Sequence, residues 1–204
     1  MARRDEADLR AAILQAATAV FLTEGFSSAS VGTIARAGGV STKTIYRFFE
    51  TKTDILVAVI SSFMEVVLPG FDAYVVERAE ELEPVLNRLL TDTAVYGLSD
   101  AGLAANRLAV TEMMRVPEMV AAYYREGHEK LIAAVGRWLA RQVAAGHLAL
   151  AAPERAAAML LSMAYSDLTR EAMISGEPPS SARIADWVAE AVAIFLRGVS
   201  VDRR

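Results

Sequence analysis

Two adjacent glycines, Gly38 and Gly39, separate two short segments with helical patterning, and this break limits the folds open to the chain. Glycine ends a helix readily because it adopts positive φ without steric cost. The segment before the glycines has Ile34 and Ala35 on its apolar side, and Ser41 after them is a good N-cap for a second helix. The sequence therefore predicts two short helices joined by a tight turn, as in a helix-turn-helix.

The second predicted helix carries side chains suited to contacting DNA. Ile45 and Phe49 are its buried anchors, and the other positions hold hydroxyl groups, a phenol and two cations. The candidate contacts are Thr42, Lys43, Thr44, Tyr46 and Arg47. A lysine can donate hydrogen bonds to O6 and N7 of guanine, and the methyl group of threonine can touch that of thymine. We predict that this helix lies in the DNA major groove, with surface or packing roles as the alternative.

The flanking sequence extends the pattern to a three-helix unit. Residues 9–25 place apolar side chains at helical spacing, and Gly25 ends that predicted helix. Ser28 or Ser30 can cap the helix that follows.

Residues 9–56 resemble the DNA-binding domain of the TetR family of bacterial transcription regulators. The matching motifs are Ile13-Leu14-Gln15-Ala16-Ala17, Phe21-Leu22-Thr23-Glu24-Gly25-Phe26, Ile34-Ala35, Gly39-Val40-Ser41, Tyr46-Arg47-Phe48-Phe49 and Thr51-Lys52. Two positions depart from the family pattern. Gly38 stands where alanine is usual, which is expected to loosen the turn, and Phe48 stands where histidine or tyrosine is frequent.

The resemblance implies roles for residues around the two short helices. It assigns the hydroxyl group of Tyr46 and the ammonium group of Lys52 to phosphates of one strand, with Lys52 helped by the positive end of its helix. Thr33 is a further candidate for a phosphate contact, and Arg47 for a base or a phosphate.

Charge is unevenly distributed along the chain. The 204 residues carry a formal net charge of −4, which is the wrong sign for a general nucleic-acid binder. Between Arg36 and Thr53, however, four cations stand against one acid, Glu50. This distribution predicts contact with DNA at one end of the protein.

The residue inventory limits other functions. The absence of cysteine excludes disulfides and cysteine nucleophiles and favours a cytoplasmic location. Two histidines, His128 and His147, are too few for a metal cluster, so we expect no metal and no cofactor. No uninterrupted apolar run reaches the roughly 18–20 residues of a membrane span, and no signal peptide is predicted. The alternative functions are an α-helical enzyme built from distant residues, or an adaptor protein retaining a helix-turn-helix.

The periodicity predicts an all-α chain of about nine helices without a sheet. We predict a helix-turn-helix DNA-binding domain at residues 1–52 and a larger helical domain for effector binding and dimerisation at residues 53–204. The fourth helix should kink or break at Pro69, because proline cannot donate a backbone hydrogen bond, and resume over residues 71–79.

The larger domain is rich in aromatic side chains and methionine, which the resemblance connects with a pocket for a small hydrophobic effector. Methionine adapts to varied partners, although plain core packing is the alternative for every candidate. The candidate ligand contacts are Phe63, Val67, Met113, Met114, Tyr123, Tyr124, His128 and Met163.

The last two predicted helices are the candidate homodimer interface. Residues 156–165 and 184–196 are apolar around much of the helix circumference, which a single domain cannot easily cover. Family members pair these helices with their two-fold mates. On that basis we expect Ala164 and Ala193 at the interface, and a palindromic operator with half-sites about 34–36 Å apart, or a multiple of that.

Overall fold

The structure, a computed structural model, describes residues 5–112 and 115–199. The α-helices are α1 (Glu6–Glu24), α2 (Val31–Ala37), α3 (Thr42–Phe48), α4 (Lys52–Ala73), α5 (Leu82–Gly97), α6 (Asp100–Glu112), α7 (Pro117–Tyr123), α8 (Lys130–Ala144), α9 (Pro153–Ser175) and α10 (Ser181–Val199). A 3-10 turn, Ala79–Glu81, precedes α5, and a π-helical segment, Tyr124–Glu129, joins α7 to α8 without a break. With α7 and α8 counted as one, the described residues form nine continuous helices and no strand, which confirms the predicted all-α fold.

The chain divides into two compact units. The first unit contains residues 1–64 and 104–128, and the second contains residues 65–103 and 129–204. The divisions fall inside α4, α6 and the π-helical segment, so neither unit is one continuous stretch of chain. The predicted boundary after residue 52 separates a DNA-binding domain from an effector-binding domain. The division into compact units does not test those roles, so the boundary stays a prediction.

In the first unit, each of the four N-terminal helices contributes a fully buried isoleucine to one core. These side chains are Ile13 of α1, Ile34 of α2, Ile45 of α3 and Ile55 of α4, and Met119 of α7 joins the same cluster. Burying one such side chain stabilises a fold by about 1.5–3 kcal/mol. Because α2 and α3 are only two turns long, these anchors are what hold them in place.

The second unit is a bundle in which α9 contacts α5, α8 and α10. Leu90 of α5, Trp138 of α8 and Val188 of α10 are all fully buried in its core. Gly136 lets α8 approach α9 closely, because a Cβ atom there would lie only 3.0 Å from the Cα atom of Glu154.

Helix α4 differs from its prediction. It is continuous from Lys52 to Ala73 with Pro69 inside it, and residues 74–78 are not helical. The break at Pro69 and the separate helix over residues 71–79 were therefore wrong, whereas a kink at Pro69, the other alternative, stays a prediction. A proline within a helix costs about 3 kcal/mol, and the complete burial of Phe71 just beyond it offsets that cost.

Helix α4 is also, among the described residues, the single helix long and apolar enough to cross a membrane by length and composition alone. Asp54 and Glu65 interrupt its apolar sequence, which is why the sequence predicted no span. One such helix is weak support for a membrane span, because a core helix of a soluble protein meets the same criterion.

Candidate nucleic-acid interface

The turn between α2 and α3 is a Schellman motif that requires one glycine. The N–H group of Val40 donates to the carbonyl oxygen of Ala35 at 3.0 Å, and that of Gly39 to Arg36 at 3.3 Å. Gly39 has a φ of +62°, which glycine adopts without strain. Gly38 has a φ of −83°, so the expectation that both glycines permit positive φ holds only for Gly39.

Gly38 has a packing role. A Cβ atom at this position would lie 3.2 Å from the Cβ atom of Ala16 in α1, closer than an ordinary van der Waals contact. Glycine therefore lets the end of α2 lie against α1. The alanine usual in the family would be crowded here, so glycine permits this close packing, and the loosened turn stays a prediction.

Serine caps begin both short helices. The Oγ atom of Ser30 accepts from the N–H group of Thr33 at 3.0 Å, and the Oγ atom of Ser41 accepts from that of Thr44 at 3.0 Å. Ser41 is confirmed as a cap, and Ser30 rather than Ser28 caps α2. The hydroxyl groups of Thr33 and Thr44 also lie 2.8 Å from these serine oxygens. Contact with DNA by either threonine would have to share that hydrogen bond.

Helix α3 presents a polar surface opposite its buried anchor. Ile45 is completely buried, whereas Thr42, Lys43, Tyr46 and Arg47 are exposed. Tyr46 exposes 56% of its surface, so its side chain is available for contacts outside the first unit. No described residue forms a hydrogen bond or ion pair with the ammonium group of Lys43.

Arg47 makes two weak contacts within the first unit. Its Nη2 atom is 3.7 Å from an Oε1 atom of Glu6, and its guanidinium group lies 4.7 Å from the centroid of the Phe48 ring. Both members of the ion pair are more than half exposed, so water and salt screen it strongly. Arg47 can therefore exchange Glu6 for a phosphate at little cost.

Lys52 departs most from its predicted surroundings. Its Nζ atom donates to the carbonyl oxygens of Phe26, Ser27 and Ala29 at 2.5, 3.3 and 2.8 Å. These carbonyl groups belong to the connection between α1 and α2. The structure thus places the Lys52 ammonium group against protein backbone, and its contact with phosphate stays a prediction.

The candidate ligand contacts fall in both units. Met113 and Met114 lie outside the described residues. Those in the first unit are Phe63, Tyr123, Tyr124 and His128, and those in the second are Val67 and Met163. The candidates are thus not a single cluster within either unit.

Within the first unit, the structure brings two pairs of polar or aromatic groups together. The rings of Tyr124 and His128 are exposed, with their centroids 5.0 Å apart. The hydroxyl group of Tyr123 donates to Oδ1 of Asn106 at 3.0 Å. Burial raises the pKa of Tyr123 to about 12, so this hydroxyl is a neutral donor at ordinary pH.

Sequence reasoning missed the buried polar atoms of the second unit. Among the described residues, Nε1 of Trp138 and Oδ1 of Asn87 are buried without a hydrogen-bond partner. An orphaned buried group costs about 1–3 kcal/mol unless water or a ligand satisfies it. The hydroxyl group of Tyr165 in the same unit, by contrast, donates to the carbonyl oxygen of Leu90 at 3.0 Å. No local sequence pattern predicts that these atoms lack hydrogen-bond partners, since the groups around them belong to other helices.

Helices α9 and α10 carry a second candidate surface, which is apolar. Met159 and Met163 lie one turn apart on α9 and are 61% and 36% exposed, and Ile194 of α10 is 50% exposed. Nε1 of Trp187 donates to the carbonyl oxygen of Met163 at 3.0 Å. Ile194 is two turns beyond Trp187 and so shares its side of α10. We call Met159, Met163 and Ile194 the α9–α10 face.

The structure corrects the choice of interface alanines. Ala164 is completely buried within the protomer, so its expected place at a dimer interface was wrong. Ala193 is half-buried. The apolar circumference of α9 has two causes, because one side packs into the bundle and the other forms the α9–α10 face.

Two sequence families match this chain. Residues 13–59 match the bacterial regulatory proteins of the tetR family, and residues 84–198 match the C-terminal domain of AefR-like transcriptional repressors. The HTH-type transcriptional regulator SrpR of Pseudomonas putida is 30% identical over 122 residues, which are 53% of this chain and 57% of SrpR. The chain thus aligns with little more than half the length of that relative.

Solved structures share the fold. A protein of Mesorhizobium loti assigned to the TetR family superposes with a TM-score of 0.82 at 24% identity, covering 98% of this chain and all of that one (100%). The flavonoid-responsive regulator FrrA has a TM-score of 0.71 at 25% identity, with coverage of 97% and 100%.

Proposed function

The chain belongs to the TetR family of bacterial transcription regulators, and we propose that it is a cytoplasmic repressor that binds a palindromic operator as a homodimer and releases it on binding a small hydrophobic effector. The exposed surface of α3 carries this proposal. Lys43 and Tyr46 project from a helix anchored by Ile45, at the position where a helix-turn-helix enters the major groove.

Some exposed side chains of α3 are suited to contacting bases, and others are suited to contacting phosphates. Lys43 and Thr42 lie in the first turn, which enters the groove most deeply, and Lys43 is suited to guanine. Tyr46 and Arg47 lie one turn later and are suited to phosphate oxygens, which position the protein without reading sequence.

The α9–α10 face supports dimerisation. Its three apolar side chains are exposed in the protomer, and burying them against a second copy would remove that surface from water. Two copies related by a two-fold axis would bring two α3 helices to the two halves of a palindrome.

The second unit suggests the chemistry of the effector. Its core is mainly apolar, yet Trp138 offers an unpartnered N–H group and Asn87 an unpartnered carbonyl oxygen. A ligand with a hydrogen-bond acceptor would satisfy the first group, and a ligand with a donor would satisfy the second. A flavonoid has both kinds of group, and FrrA is named as a flavonoid-responsive protein.

Selection from a random pool of DNA duplexes tests the first part of the proposal. The protein should enrich an inverted repeat, and fluorescence anisotropy with that duplex should show an affinity at least about 10³-fold above that for random DNA. The double variant Lys43→Ala, Tyr46→Ala should lose this preference while keeping its circular dichroism spectrum. Failure to enrich any repeat would contradict the proposal.

A thermal-shift screen tests the second part. Apolar and amphipathic compounds, including flavonoids, should raise the melting temperature, and a positive compound should lower affinity for the selected duplex. The duplex must weaken compound binding by the same factor, because coupling between two sites is reciprocal. A compound that binds without changing DNA affinity would not be the effector.

A further inference from the structure

Lys52 occupies a site built from the backbone between α1 and α2. A lysine ammonium group has three N–H donors and no acceptor. The carbonyl oxygens of Phe26, Ala29 and Ser27 lie 2.5, 2.8 and 3.3 Å from its Nζ atom, so they match this donor set. Nζ is also 4.5 Å from the centroid of the Phe26 ring, within the range of cation–π attraction.

Both partners gain from this arrangement. Phe26 and Ala29 are each only 4% exposed, and a buried carbonyl group without a donor is costly. Lys52 is the first residue of α4, where the helix dipole is positive and disfavours a cation. The three carbonyl oxygens compensate for that unfavourable position.

The backbone that carries Lys52 is also fixed, by hydrogen bonds at the start of α4. The N–H group of Thr51 donates to Oδ2 of Asp54 at 2.8 Å, and the N–H group of Asp54 donates to Oγ1 of Thr51 at 3.1 Å. This reciprocal capping fixes the first turn of α4. The ammonium group is therefore directed at the α1–α2 connection by a rigid helix start.

We infer that Lys52 is a positioning residue that orients the helix-turn-helix from within, rather than a ligand of DNA phosphate. The connection it holds ends at Ser30, the N-cap of α2, and α2 packs against both α1 and α3. To reach a phosphate, the ammonium group would have to give up a backbone carbonyl. The inference rests on the proposed contact of α3 with DNA and concerns how that helix is held.

Lysine acetylation of the wild-type protein tests this without any substitution. The chain has three lysines, Lys43, Lys52 and Lys130, and the first and last are exposed. With a succinimidyl acetate reagent and mass spectrometry, Lys52 should react at least about tenfold more slowly than the other two, because it reacts only after local opening. Adding the selected duplex should protect Lys43 and leave Lys52 and Lys130 unchanged.

Two outcomes of the labelling differ in meaning. Equal rates for Lys52 and Lys43 in the free protein, with both protected by DNA, would overturn the inference. Slow labelling of Lys52 with no effect of DNA on Lys43 would count against the proposed function and leave the carbonyl site intact, because the first measurement contains no DNA.

Substitution separates positioning from simple stabilisation. Lys52→Arg keeps the charge but replaces a compact ammonium group by a planar fork, which a phosphate would accept and the carbonyl site would not. The melting temperature should fall by about 4 °C or more. At a temperature where the variant is fully folded, affinity for the selected duplex should fall about fivefold, or roughly 1 kcal/mol.

The salt dependence of binding identifies the lost contact. Lys52→Met should leave the slope of log affinity against log salt unchanged, since no phosphate contact is removed. The matched control Lys43→Met should leave the melting temperature unchanged. A slope reduced by about one unit in Lys52→Met would show that Lys52 does contact a phosphate and would overturn the inference. A folded Lys52→Arg variant with wild-type affinity would show that Lys52 only stabilises the fold, which would also overturn it. If Lys52→Met does not fold, the labelling and Lys52→Arg decide the matter.

Discussion

Helices α3 and α9 are both amphipathic, but they use their two sides differently. In α3, which has seven residues, one side chain is buried, and the Ser41 cap after the glycine turn defines where it begins. In α9, which has 23 residues, seven side chains are buried, and its stability comes from packing. Exposed side chains of α3 are polar and suited to DNA, whereas those on the α9–α10 face are apolar and suited to a second protein. Position on the helix therefore decides whether a substitution should alter binding, association or folding.

The largest expected effect comes from a charge on the buried side of α9. Ala164→Glu places a carboxylate in the core of the second unit, which should cost at least about 3–5 kcal/mol and prevent folding at ordinary temperature. Ala189→Glu on the exposed side of α10 is the control and should stay within about 0.5 kcal/mol of wild type. Circular dichroism melting curves measure both. Similar melting temperatures for the two variants would show that a charge at Ala164 costs no more than a charge on an exposed helix surface, which would contradict the burial of that side of α9.

A charge on the outward side of α9 should act on association instead. Met159→Glu should weaken the dimer by about 2 kcal/mol or more, roughly 30-fold in Kd, while the protomer keeps its helical spectrum. Val75, another exposed apolar residue of the second unit, is 74% exposed, and Val75→Glu should leave the dimer intact. Sedimentation velocity over a dilution series measures both. A monomeric wild-type protein would remove the α9–α10 face as an interface.

The corresponding change in α3 should affect DNA alone. Lys43→Ala should cost about 1–3 kcal/mol on the selected duplex and relax base preference at one position, without lowering the melting temperature. Lys130→Ala, at an exposed lysine of the second unit, is the control and should bind as wild type does. Equal losses on the selected duplex and on random DNA would make Lys43 a phosphate contact.

The smallest expected effect comes from replacing serine by alanine, and it should differ between a helix cap and a helix interior. Ser41→Ala removes the cap of α3 and should cost about 1 kcal/mol of stability in the first unit. Ser162 lies inside α9, where its Oγ atom donates to the carbonyl oxygen of Ala158 at 2.9 Å, so Ser162→Ala should be neutral. Hydrogen exchange of the amides in α3 and α9 measures each effect locally. The comparison would be reversed if Ser162→Ala accelerated exchange in α9 more than Ser41→Ala accelerates it in α3, each relative to wild type.

Several features of the fold followed from short-range patterns. Ser41 as a cap and a glycine turn at Gly38-Gly39 could be predicted, because the groups that make these motifs lie within five residues of one another. The break at Pro69 was wrong, because α4 continues through the proline and the tertiary burial of Phe71 helps to offset a local penalty.

The candidate site was predicted less completely. Thr42, Lys43 and Tyr46 were expected on the outer side of α3 and are exposed there. The carbonyl site of Lys52 was not foreseen, since its oxygens lie 23–26 residues earlier in the chain. The orphaned Nε1 atom of Trp138 likewise depends on neighbours that no spacing rule identifies.

The sequence by itself determined the all-α class, the helix-turn-helix and the family, because helix periodicity, caps and glycine turns are encoded in contiguous residues. The tertiary structure alone decided which side of each helix is free. It placed Ala164 inside and Met159 outside, and it turned the Lys52 ammonium group toward backbone. The physical reason is that burial and hydrogen bonding between helices depend on which neighbour covers each side, and an apolar stripe looks the same in sequence whether its partner is the same chain or a second copy.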